Sequence, residues 1–525
     1  MALPKMPDGW QQAVVSRARF ILDVSIENED LTNTWFEQVL LVSKLKNGYF
    51  YAWLAITGCY PEKFQLLEFQ SKAEINGLPD ACRTLLSQRF SNLEQTNNLL
   101  RVRLVKPKHS NLVDVTHTYA APYLTGIQRV VFGITNEANN ISTYVWVGNS
   151  AILQERNLSQ VGEKGFKQID QGWRIQLVHR LHAQVPRLDR SKLGTKFRIF
   201  LLPIARKIKR ALITGEARLQ FSNSKNETWD NLLIKDCSIT LPEIPSKLEH
   251  ISCYEAILEN SIVPIQVVLY DFIPFFHAWT VHPGNRGHLN SYVRIVLLAN
   301  RIVSISSLVQ EQAKLIIKAF SLERSAWENR QRSFAFLPLP SGLEPTKIGE
   351  FSKQKNLVVM AGSLEPRKNH MQFLDALEVT ARAGISVKAR ILGSAGWENE
   401  RILQRIHELQ AMGIDLERLG NLDDAEMRRN IAEAQVLLQI SEAEGFGLPV
   451  AEALSLGTRV IVSNIRPLNE WESPYVERIE VGDSLGLSQA ISKILQDPRT
   501  SGFVASSEVT WKHWRELLFG ENTAF

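Results

Sequence analysis

The 525-residue sequence has few features that would place it outside a reducing compartment. It contains four cysteines, none in a C-x-x-C or zinc-finger spacing, so neither a disulfide framework nor a metal site is predicted. The N-terminal stretch has no apolar segment of the signal-peptide type. The most apolar window, 261–281, is interrupted by Pro264, Asp271 and Pro274, so we expect no membrane span there. These absences predict a cytoplasmic protein that contacts a membrane peripherally at most.

Composition and length are those of an ordinary multidomain globular protein. Hydrophobic residues make up 44% and charged residues 22% of the chain, and 525 residues are too many for one hydrophobic core. The net charge of +5 is small, but the stretch 187–210 holds nine Lys or Arg against one acid, Asp189. This stretch predicts either a peripheral contact with an anionic membrane or a solvated basic face of its own domain. No nucleic-acid partner is expected, since no binding motif accompanies the charges.

The second half of the chain alternates between apolar runs and amphipathic stretches. Strand patterns at 357–361 and 387–392 alternate with helix patterns at 369–382 and 399–412, and the alternation continues to Leu495. Such a rhythm predicts an α/β fold with a parallel, doubly wound sheet.

The domain organisation is predicted from these patterns and from the proline-rich linker at 337–347. The predicted parts are an accessory α+β region at 1–105, a Rossmann-like domain at 106–340 with an insertion at about 150–255, a second Rossmann-like domain at 341–505, and a C-terminal helix at 506–525 that packs at the interdomain junction.

One stretch, 436–463, predicts a strand, a loop, a helix and a second strand. The strand covers 436–440, the polar loop covers 441–447, and Pro449 marks the first turn of the helix. Gly457 ends that helix. In open α/β sheets such a loop, at the carboxyl end of its strand, is where ligands bind.

Two carboxylates flank the start of this helix. Glu444 ends the polar loop and Glu452 follows eight residues later. Gly445 and Gly447 are expected to let the backbone approach a ligand closely, and the free N–H groups of the helix start favour an anion. Carboxylates that accept from hydroxyls, beside a site for phosphate, fit a sugar nucleotide.

Two further loops follow predicted strands of the same half. The sequence GSLEPRKNH at 362–370 places Arg367 and Lys368 just before a helix, where cations and the helix dipole favour a diphosphate. The sequence GSAGWENE at 393–400 has glycines that would leave room for a ligand. Loops at the carboxyl ends of parallel strands meet at one crevice.

The motifs together resemble a known family. EGFGLPVAEALSLGTRVIVSN is similar to the E-x7-E signature of the glycosyltransferase family 4 donor domain, of the "glycosyl transferases group 1" type found in bacterial polysaccharide synthesis. GSLEPRKNH resembles that family's phosphate-binding loop. TGIQRVV near Gly126 and LYDFIP at 269–274 resemble loops of the acceptor half. The resemblance covers about 110–525. It implies the GT-B fold, in which two Rossmann-like doubly wound parallel-sheet domains enclose a cleft.

The resemblance also implies roles for individual residues. Arg367 and Lys368 would hold the donor diphosphate, Glu452 would accept from the ribose hydroxyls, and Glu444 would hold the transferred sugar together with backbone amides. Ser363 departs from the family pattern, in which many members carry an arginine. The predicted donor-binding set is Arg367, Lys368, Glu444, Gly445, Phe446, Gly447, Leu448 and Glu452.

On the acceptor side the resemblance implies a loop at Gly126 and a catalytic group of His277, Asp271 and Glu444. His277, six residues past Asp271, matches an acceptor-side histidine of the family. Two simpler interpretations stay open, a packed core role for His277 and hydrogen bonding of loop amides by Asp271. The family needs no metal in the site, and the chain contains no D-x-D sequence.

The predicted function is a retaining, metal-independent glycosyltransferase. It would move a hexosyl unit from a nucleoside-diphosphate sugar, a co-substrate and not a cofactor, to a saccharide or lipid-linked glycan. A dinucleotide enzyme is disfavoured, because Val450 stands where GxGxxG needs its third glycine. The alternative is a catalytically silent GT-B scaffold in a polysaccharide-assembly complex, which would bind no sugar nucleotide.

Overall fold

The structure is a computed structural model that forms two compact units. Unit 1 comprises 1–123, 141–237 and 247–263, and unit 2 comprises 124–140, 238–246 and 264–525. The domain boundaries predicted at 105 and 340 stay predictions. The described residues are 9–22, 34–45, 47–89, 102–120, 126–147, 152–156, 229–245, 247–260, 263–283, 289–321, 332–341, 351–420, 422–497 and 509–520.

The described N-terminal residues of unit 1 are helical. The helices are α1 Trp10–Leu22, α2 Trp35–Ser43, α3 Gly48–Thr57, α4 Lys63–Asn76 and α5 Leu78–Arg89. In α3, whose sequence is apolar on every side, all residues except Tyr49 are buried, as expected of a core helix. Arg17 of α1 is buried and donates to the carbonyl oxygens of Ala55, Ile56 and Val102. The sequence predicts an α+β region at 1–105. Among the described residues of this stretch, the strand is β1 Val102–Val105 and the other elements are helices.

The other described elements of unit 1 are mainly strands. β1 pairs in parallel with β5 Trp229–Leu232. β2 Asn111–Asp114 pairs in parallel with β3 Ile141–Val147, which pairs antiparallel with β4 Ile152–Glu155. The unit also contains α6 Thr116–Ala120 and α8 Leu248–Asn260. Most of the predicted insertion at 150–255, including 187–210, lies outside the described residues.

Unit 2 contains four parallel strands from the middle of the chain. Their spatial order is β6 Ser238–Leu241, β7 Ile265–Leu269, β8 Arg301–Ser304 and β9 Ser333–Phe336. Their helices are α7 Gly126–Thr135, α9 Ile273–Phe276, α10 Leu289–Leu298 and α11 Ser307–Ser321. The stretch after β7, predicted as a loop, contains α9 and a 3₁₀ turn at Ala278–Thr280, because the carboxylate of Asp271 binds the amide of Ile273 and starts the helix.

The second sheet of unit 2 has six parallel strands. They are β10 Leu357–Ala361, β11 Lys388–Leu392, β12 Asp415–Leu419, β13 Val436–Gln439, β14 Arg459–Ser463 and β15 Val476–Ile479, in the spatial order β12-β11-β10-β13-β14-β15. The predicted doubly wound parallel sheet is confirmed. The strand order reverses between β10 and β13, the point at which such sheets bind ligands. The helices are α12 His370–Arg382, α13 Glu400–Ala411, α14 Asp424–Glu433, α15 Leu448–Ser455 and α16 Ser484–Gln496, with short 3₁₀ turns at Pro366–Lys368 and Leu468–Glu470.

Helices cover both faces of this sheet, because its central strand β10 is apolar at every position. In β10, Val358 and Met360 enter one hydrophobic cluster, while Leu357, Val359 and Ala361 enter the other. The first cluster contains residues of α12, α13 and α16, and the second contains residues of α14 and α15. The side-chain alternation of a strand thus places helices on either side and leaves the carboxyl edge for the loops.

The last described helix, α17 Trp511–Phe519, packs through one face, as its sequence predicts. Trp514 and Leu518 are fully buried, and the indole N–H of Trp514 donates to the carbonyl oxygen of Pro338 at 3.0 Å. Backbone carbonyls at 517–519 accept from the side chains of Arg301, Gln266 and Asn140. These partners all lie in the predicted domain 106–340. The predicted placement of this helix at an interdomain junction stays a prediction.

None of the helices given above is both long enough and apolar enough to cross a bilayer.

Candidate functional site

Two loops leave the carboxyl edge of the six-stranded sheet at its switch point. The β10 loop covers 362–369 and the β13 loop covers 440–447. Their strands are neighbours in the sheet and run in the same direction. The two loops, which are 76 positions apart in sequence at their closest contact, are therefore adjacent in space.

Arg367 of the β10 loop holds the two loops together. Its Nη1 donates to the carbonyl oxygen of Ala443 at 2.8 Å, and its own carbonyl oxygen accepts from the amide of Glu442 at 2.9 Å. Its Nη2 donates to Glu365 at 2.9 Å. These contacts fix the guanidinium beside the start of α12, in the place expected for a diphosphate-binding cation.

Glu444 of the β13 loop lies in a set of donors. Its Oε1 accepts from Lys368 Nζ at 2.6 Å, from Gln439 Nε2 at 2.7 Å and from Ser441 Oγ at 2.7 Å. Arg367 Nη1 lies 3.4 Å from the same oxygen. Burial alone would raise the pKa of this carboxyl, but Lys368 and Arg367 lower it to about 2. Glu444 is therefore a buried, permanently ionised carboxylate at neutral pH.

The two cations respond differently to burial. Burial would lower the pKa of Arg367, but Glu444 and Glu365 outweigh it and the pKa is raised. For Lys368 burial is the larger effect and the pKa is lowered, although Glu444 opposes it. Ser363, at the position where many members of the resembled family carry arginine, hydrogen-bonds to Glu365 at 3.2 Å. Arg367 and Lys368 thus carry the cationic character of the β10 loop.

Glu452 lies in a separate environment, in the middle of α15. Its side chain is only 2% exposed and its Oε1 lies 3.1 Å from Arg129 Nη1 of α7. Arg129 also pairs with Asp424, the first residue of α14. Burial raises the pKa of Glu452 to about 7, and Arg129 opposes this rise. The sequence motif TGIQRVV contained Arg129, but our prediction from it named only Gly126, three positions earlier and one helical turn away.

Protein atoms surround the glycines of the site, and the expectation that they leave room for a ligand stays a prediction. A Cβ added at Gly445 would lie 1.9 Å from the carbonyl oxygen of Tyr270, and Ser306 Oγ donates to the Gly445 carbonyl at 2.7 Å. Gly447 has φ +92°, and its added Cβ would lie 2.5 Å from Leu468. In the loop at 393–400, a Cβ at Gly393 would lie 1.9 Å from the Gly362 carbonyl oxygen. The backbone approaches other backbone at Gly445 and Gly393, and it approaches the Leu468 side chain at Gly447.

The remaining members of the predicted donor set are placed around this turn. Phe446 is buried against Trp471, with ring centroids 5.2 Å apart. Leu448 begins α15, with Pro449 in its first turn as predicted. Gly126 is exposed at the start of α7, and a Cβ there would lie 3.8 Å from a methyl carbon of Leu448. Gly126, which was predicted to lie in an acceptor-side loop, is therefore close to the turn that begins α15.

Asp271 and His277 follow β7. Asp271 Oδ1 accepts from the amide of Ile273 at 3.0 Å, which is the loop-amide role left open from the sequence. Burial raises the pKa of Asp271, against the effects of that amide and of Arg367. Burial lowers the pKa of His277, against the effect of Glu442. The His277 ring lies edge-on to Trp279 at 5.3 Å. Both side chains thus lie within electrostatic range of the β10 and β13 loops.

A metal-binding cluster of three or more His, Cys, Asp or Glu side chains was not found among the described residues. The described side chains of the site offer cations, carboxylates and a histidine of lowered pKa.

Comparison with known families defines the class of this domain. Residues 344–503 match the family described as Glycosyl transferases group 1. The β10 loop, the β13 loop and Glu452 all lie inside that match. The resemblance inferred from the motifs is confirmed over residues 344–503, which match this family.

Individual relatives match part of the chain. "Serotype-specific mannosyltransferase WbdA" of Escherichia coli is 26% identical over 158 residues, which are 30% of this chain and 19% of that protein. "O-antigen chain mannosyltransferase B" of Escherichia coli is 28% identical over 159 residues, which are 29% of this chain and 42% of that protein. The chain thus matches less than half the length of these two relatives.

A solved structure is similar over a longer stretch. The structure described as "Anabaena Alr3699/HepE in complex with UDP and glucose" covers 78% of this chain and 95% of its own, with 16% identity and a TM-score of 0.46.

Proposed function

We propose that the protein is a glycosyltransferase that moves a hexosyl unit from a nucleoside-diphosphate sugar to a saccharide or lipid-linked glycan. We further propose that it retains the anomeric configuration and uses no metal ion and no cofactor. The observation that carries the proposal is the buried pair of Lys368 and Glu444, 2.6 Å apart at the switch point of a glycosyl transferases group 1 domain. It places a cation for phosphate directly beside an ionised carboxylate for sugar hydroxyls.

The donor diphosphate would bind to Arg367 and Lys368. Their side chains are 16% and 13% exposed, so a phosphate reaching them would meet charges that water screens little. The start of α12 directly follows them and adds its dipole. As the bond to the sugar breaks, negative charge builds on the leaving diphosphate, and preorganised cations stabilise that charge without reorganisation.

The transferred sugar would lie against Glu444. The hydrogen bonds and ion pairs of its carboxylate use Oε1. Oε2 receives no hydrogen bond from the described part of the chain, so in this proposal it accepts from a sugar hydroxyl. The carboxylate is fixed by Gln439 and Ser441 as well as by Lys368, so binding a hydroxyl requires no rearrangement.

The acceptor would approach from the side of Asp271 and His277. The lowered pKa of His277 keeps the ring neutral at pH 7, which is the form that can accept a proton from an acceptor hydroxyl. In the proposed reaction that hydroxyl attacks the anomeric carbon from the face that the diphosphate leaves. The bond to the diphosphate breaks as the new glycosidic bond forms.

The donor sugar proposed for the first test is mannose, because two relatives of this domain are named mannosyltransferases. The scaffold alternative would be marked by a lost phosphate loop or lost glutamates. The chain instead keeps Arg367, Lys368, Glu444 and Glu452, which favours an active enzyme.

A ligand screen tests the proposal. Thermal unfolding of the full chain would be recorded with UDP-, GDP- and ADP-sugars, including GDP-mannose, and then repeated with Lys368→Met. We expect at least one nucleotide sugar to raise Tm for the wild type and to lose that effect in the variant. Lys388→Met, which removes an exposed lysine of the same sheet, serves as the matched control. If no nucleotide or nucleotide sugar raises Tm, the scaffold alternative holds.

A further inference from the structure

Arg129 joins α7 to the helix that carries Glu452. Its guanidinium contacts Glu452 through Nη1 and Asp424 through Nη2. Its side chain is 15% exposed, against 2% for the side chain of Glu452 and 50% for that of Asp424. The arginine therefore bridges a fully buried carboxylate and one at the surface.

The two oxygens of the Glu452 carboxylate are not equivalent. Its hydrogen bond and its ion pair with Arg129 both use Oε1. From the described part of the chain, Oε2 receives no hydrogen bond. A carboxylate held by one oxygen, with the other left open, is arranged to accept from a ligand hydroxyl.

Two charged groups act on Glu452, Arg129 from α7 and Asp424 from α14. Arg129 favours the ionised carboxylate, and Asp424 disfavours it. Burial also disfavours the ionised form, so Arg129 is the described charged group that keeps this buried carboxyl able to ionise.

We propose that Arg129 is a positioning residue for the nucleotide: it holds Glu452 by Oε1 and keeps it ionised, so that Oε2 accepts from the ribose hydroxyls of the donor. This inference rests on the proposed function, since it assigns Glu452 to the ribose of a nucleoside diphosphate. Arg129 itself touches neither the sugar nor the diphosphate.

Affinity for the nucleotide should change with pH in a defined direction. A protonated Glu452 loses acceptor capacity and gains a donor, so ribose binding weakens as pH falls through the pKa of this carboxyl. Without Arg129 that pKa rises, and the pH at which affinity is lost rises with it. Without the charge of Asp424 the pKa falls, and the loss of affinity moves to lower pH.

The experiment is a titration of the full chain with UDP, GDP and ADP by calorimetry between pH 5.5 and 9. The variants are Arg129→Met, Arg129→Lys and Asp424→Asn. For the nucleotide that the wild type binds best, affinity should fall as pH decreases, and we call this fall the acid limb. We expect the acid limb to move upward by about one pH unit in Arg129→Met, which makes binding at pH 6.5 about tenfold weaker. At pH 9 the affinity should lie within about threefold of the wild type, because the carboxyl is then ionised in both.

The other two variants separate positioning from general damage to the fold. Arg129→Lys should keep most of the wild-type pH profile, and Asp424→Asn should move the acid limb downward. The 2′-deoxynucleoside diphosphate provides a second readout, because it should bind less tightly than the ribonucleotide to the wild type and with a smaller difference to Arg129→Met.

The outcomes are distinguishable. If the wild type binds none of the three nucleotides, the proposed function is wrong. If it binds one but Arg129→Met weakens binding equally at every pH, or leaves it unchanged, the positioning role alone is wrong. If Arg129→Met does not fold, an upward or absent shift in Asp424→Asn overturns the inference.

Discussion

Lys368 Nζ lies 2.6 Å from Glu444 Oε1, and this contact connects the β10 loop to the β13 loop across the switch point of the six-stranded sheet. The two side chains are 13% and 10% exposed, so water screens the pair little. The same carboxylate also neutralises Arg367. The charges expected to bind a diphosphate and a sugar thus hold each other in place before any ligand arrives.

Replacing Glu444 by glutamine should abolish most of the transfer activity. The amide keeps the shape of the side chain but removes the charge that orients Lys368 and holds the sugar. We expect the transfer rate to fall by about 100-fold or more, the usual effect of removing one preorganised electrostatic group. Product formation from the best nucleotide sugar measures it. Glu442→Gln, two positions earlier and exposed, should retain wild-type activity. Equal rates for Glu444→Gln and the wild type would contradict the assignment of this residue.

Replacing Lys368 by methionine should destabilise the fold as well as weaken nucleotide binding. The change leaves Glu444 buried with one cation fewer, and breaking a buried ion pair by removing one partner costs about 3 kcal/mol or more. Urea unfolding followed by circular dichroism measures the change. Lys388→Met, on the exposed side of β11, should stay within about 0.5 kcal/mol of the wild type. Similar unfolding curves for the two variants would show that the pair contributes nothing.

The contribution of Glu444 to stability should depend on pH in a defined direction. Its pKa is lowered from 4.5 to about 2 in the folded state, so the native state binds fewer protons than the unfolded state in this range. The stabilisation is complete above pH 4.5 and is lost as pH falls towards 2. We therefore expect the difference in unfolding free energy between the wild type and Glu444→Gln to be constant from pH 5 to 7 and to shrink below 4.5. A difference that stays constant down to pH 2.5 would refute the lowered pKa.

Replacing Gly445 by alanine should damage the site through a backbone clash. The new Cβ would lie 1.9 Å from the carbonyl oxygen of Tyr270, so either the β13 loop or the end of β7 must move. Because Asp271 follows Tyr270 directly, we expect activity to fall at least about tenfold, as displacements of about 1 Å commonly do. Gly420→Ala is the control, since its φ is not in the left-handed region and its added Cβ would make contacts of 3.5 Å or longer. Steady-state rates and Tm are measured for both variants. Wild-type activity in Gly445→Ala would exclude the close approach of Gly445 to the carbonyl oxygen of Tyr270.

Replacing Trp514 by alanine should remove the anchor of α17. The indole is fully buried and donates to Pro338, and truncating a buried tryptophan costs about 3–5 kcal/mol. Lys512→Ala changes a side chain that is 77% exposed in the same helix and should be nearly neutral. Limited proteolysis and chemical unfolding measure both variants. If they were equally stable, the helix would not be part of the core of unit 2.

Elements with a strong local pattern could be predicted from the sequence. The strands β10, β13 and β14 are largely apolar runs between turn signals, and Pro449 marked the first turn of α15. β12 was not predicted, because its sequence DLERL is charged. The strand lies at the edge of the sheet, and Leu416 is its one buried residue. Its partner β11 supplies the hydrogen bonds that a local pattern cannot reveal.

The candidate site was predictable where one short motif holds its residues together. Arg367, Lys368, Glu444 and Glu452 were named from such motifs, and the structure brings the first three into contact. Arg129 was missed because its partner Glu452 is 323 positions away, and no helical periodicity encodes that contact. The close packing at Gly445 could not be predicted for the same reason, since the atom that excludes a side chain there belongs to Tyr270.

The hydrogen bonds of α17 have a consequence for the order in which the chain can fold. Arg301 of β8 donates to the carbonyl oxygen of Leu517, which is 216 positions later, and Gln266 of β7 donates to that of Leu518. During synthesis these buried side chains cannot form their hydrogen bonds to Leu517 and Leu518 until the C-terminal residues leave the ribosome, long after β7 and β8 have emerged. We expect this part of unit 2 to stay incomplete, and dependent on chaperones, until translation has passed residue 519.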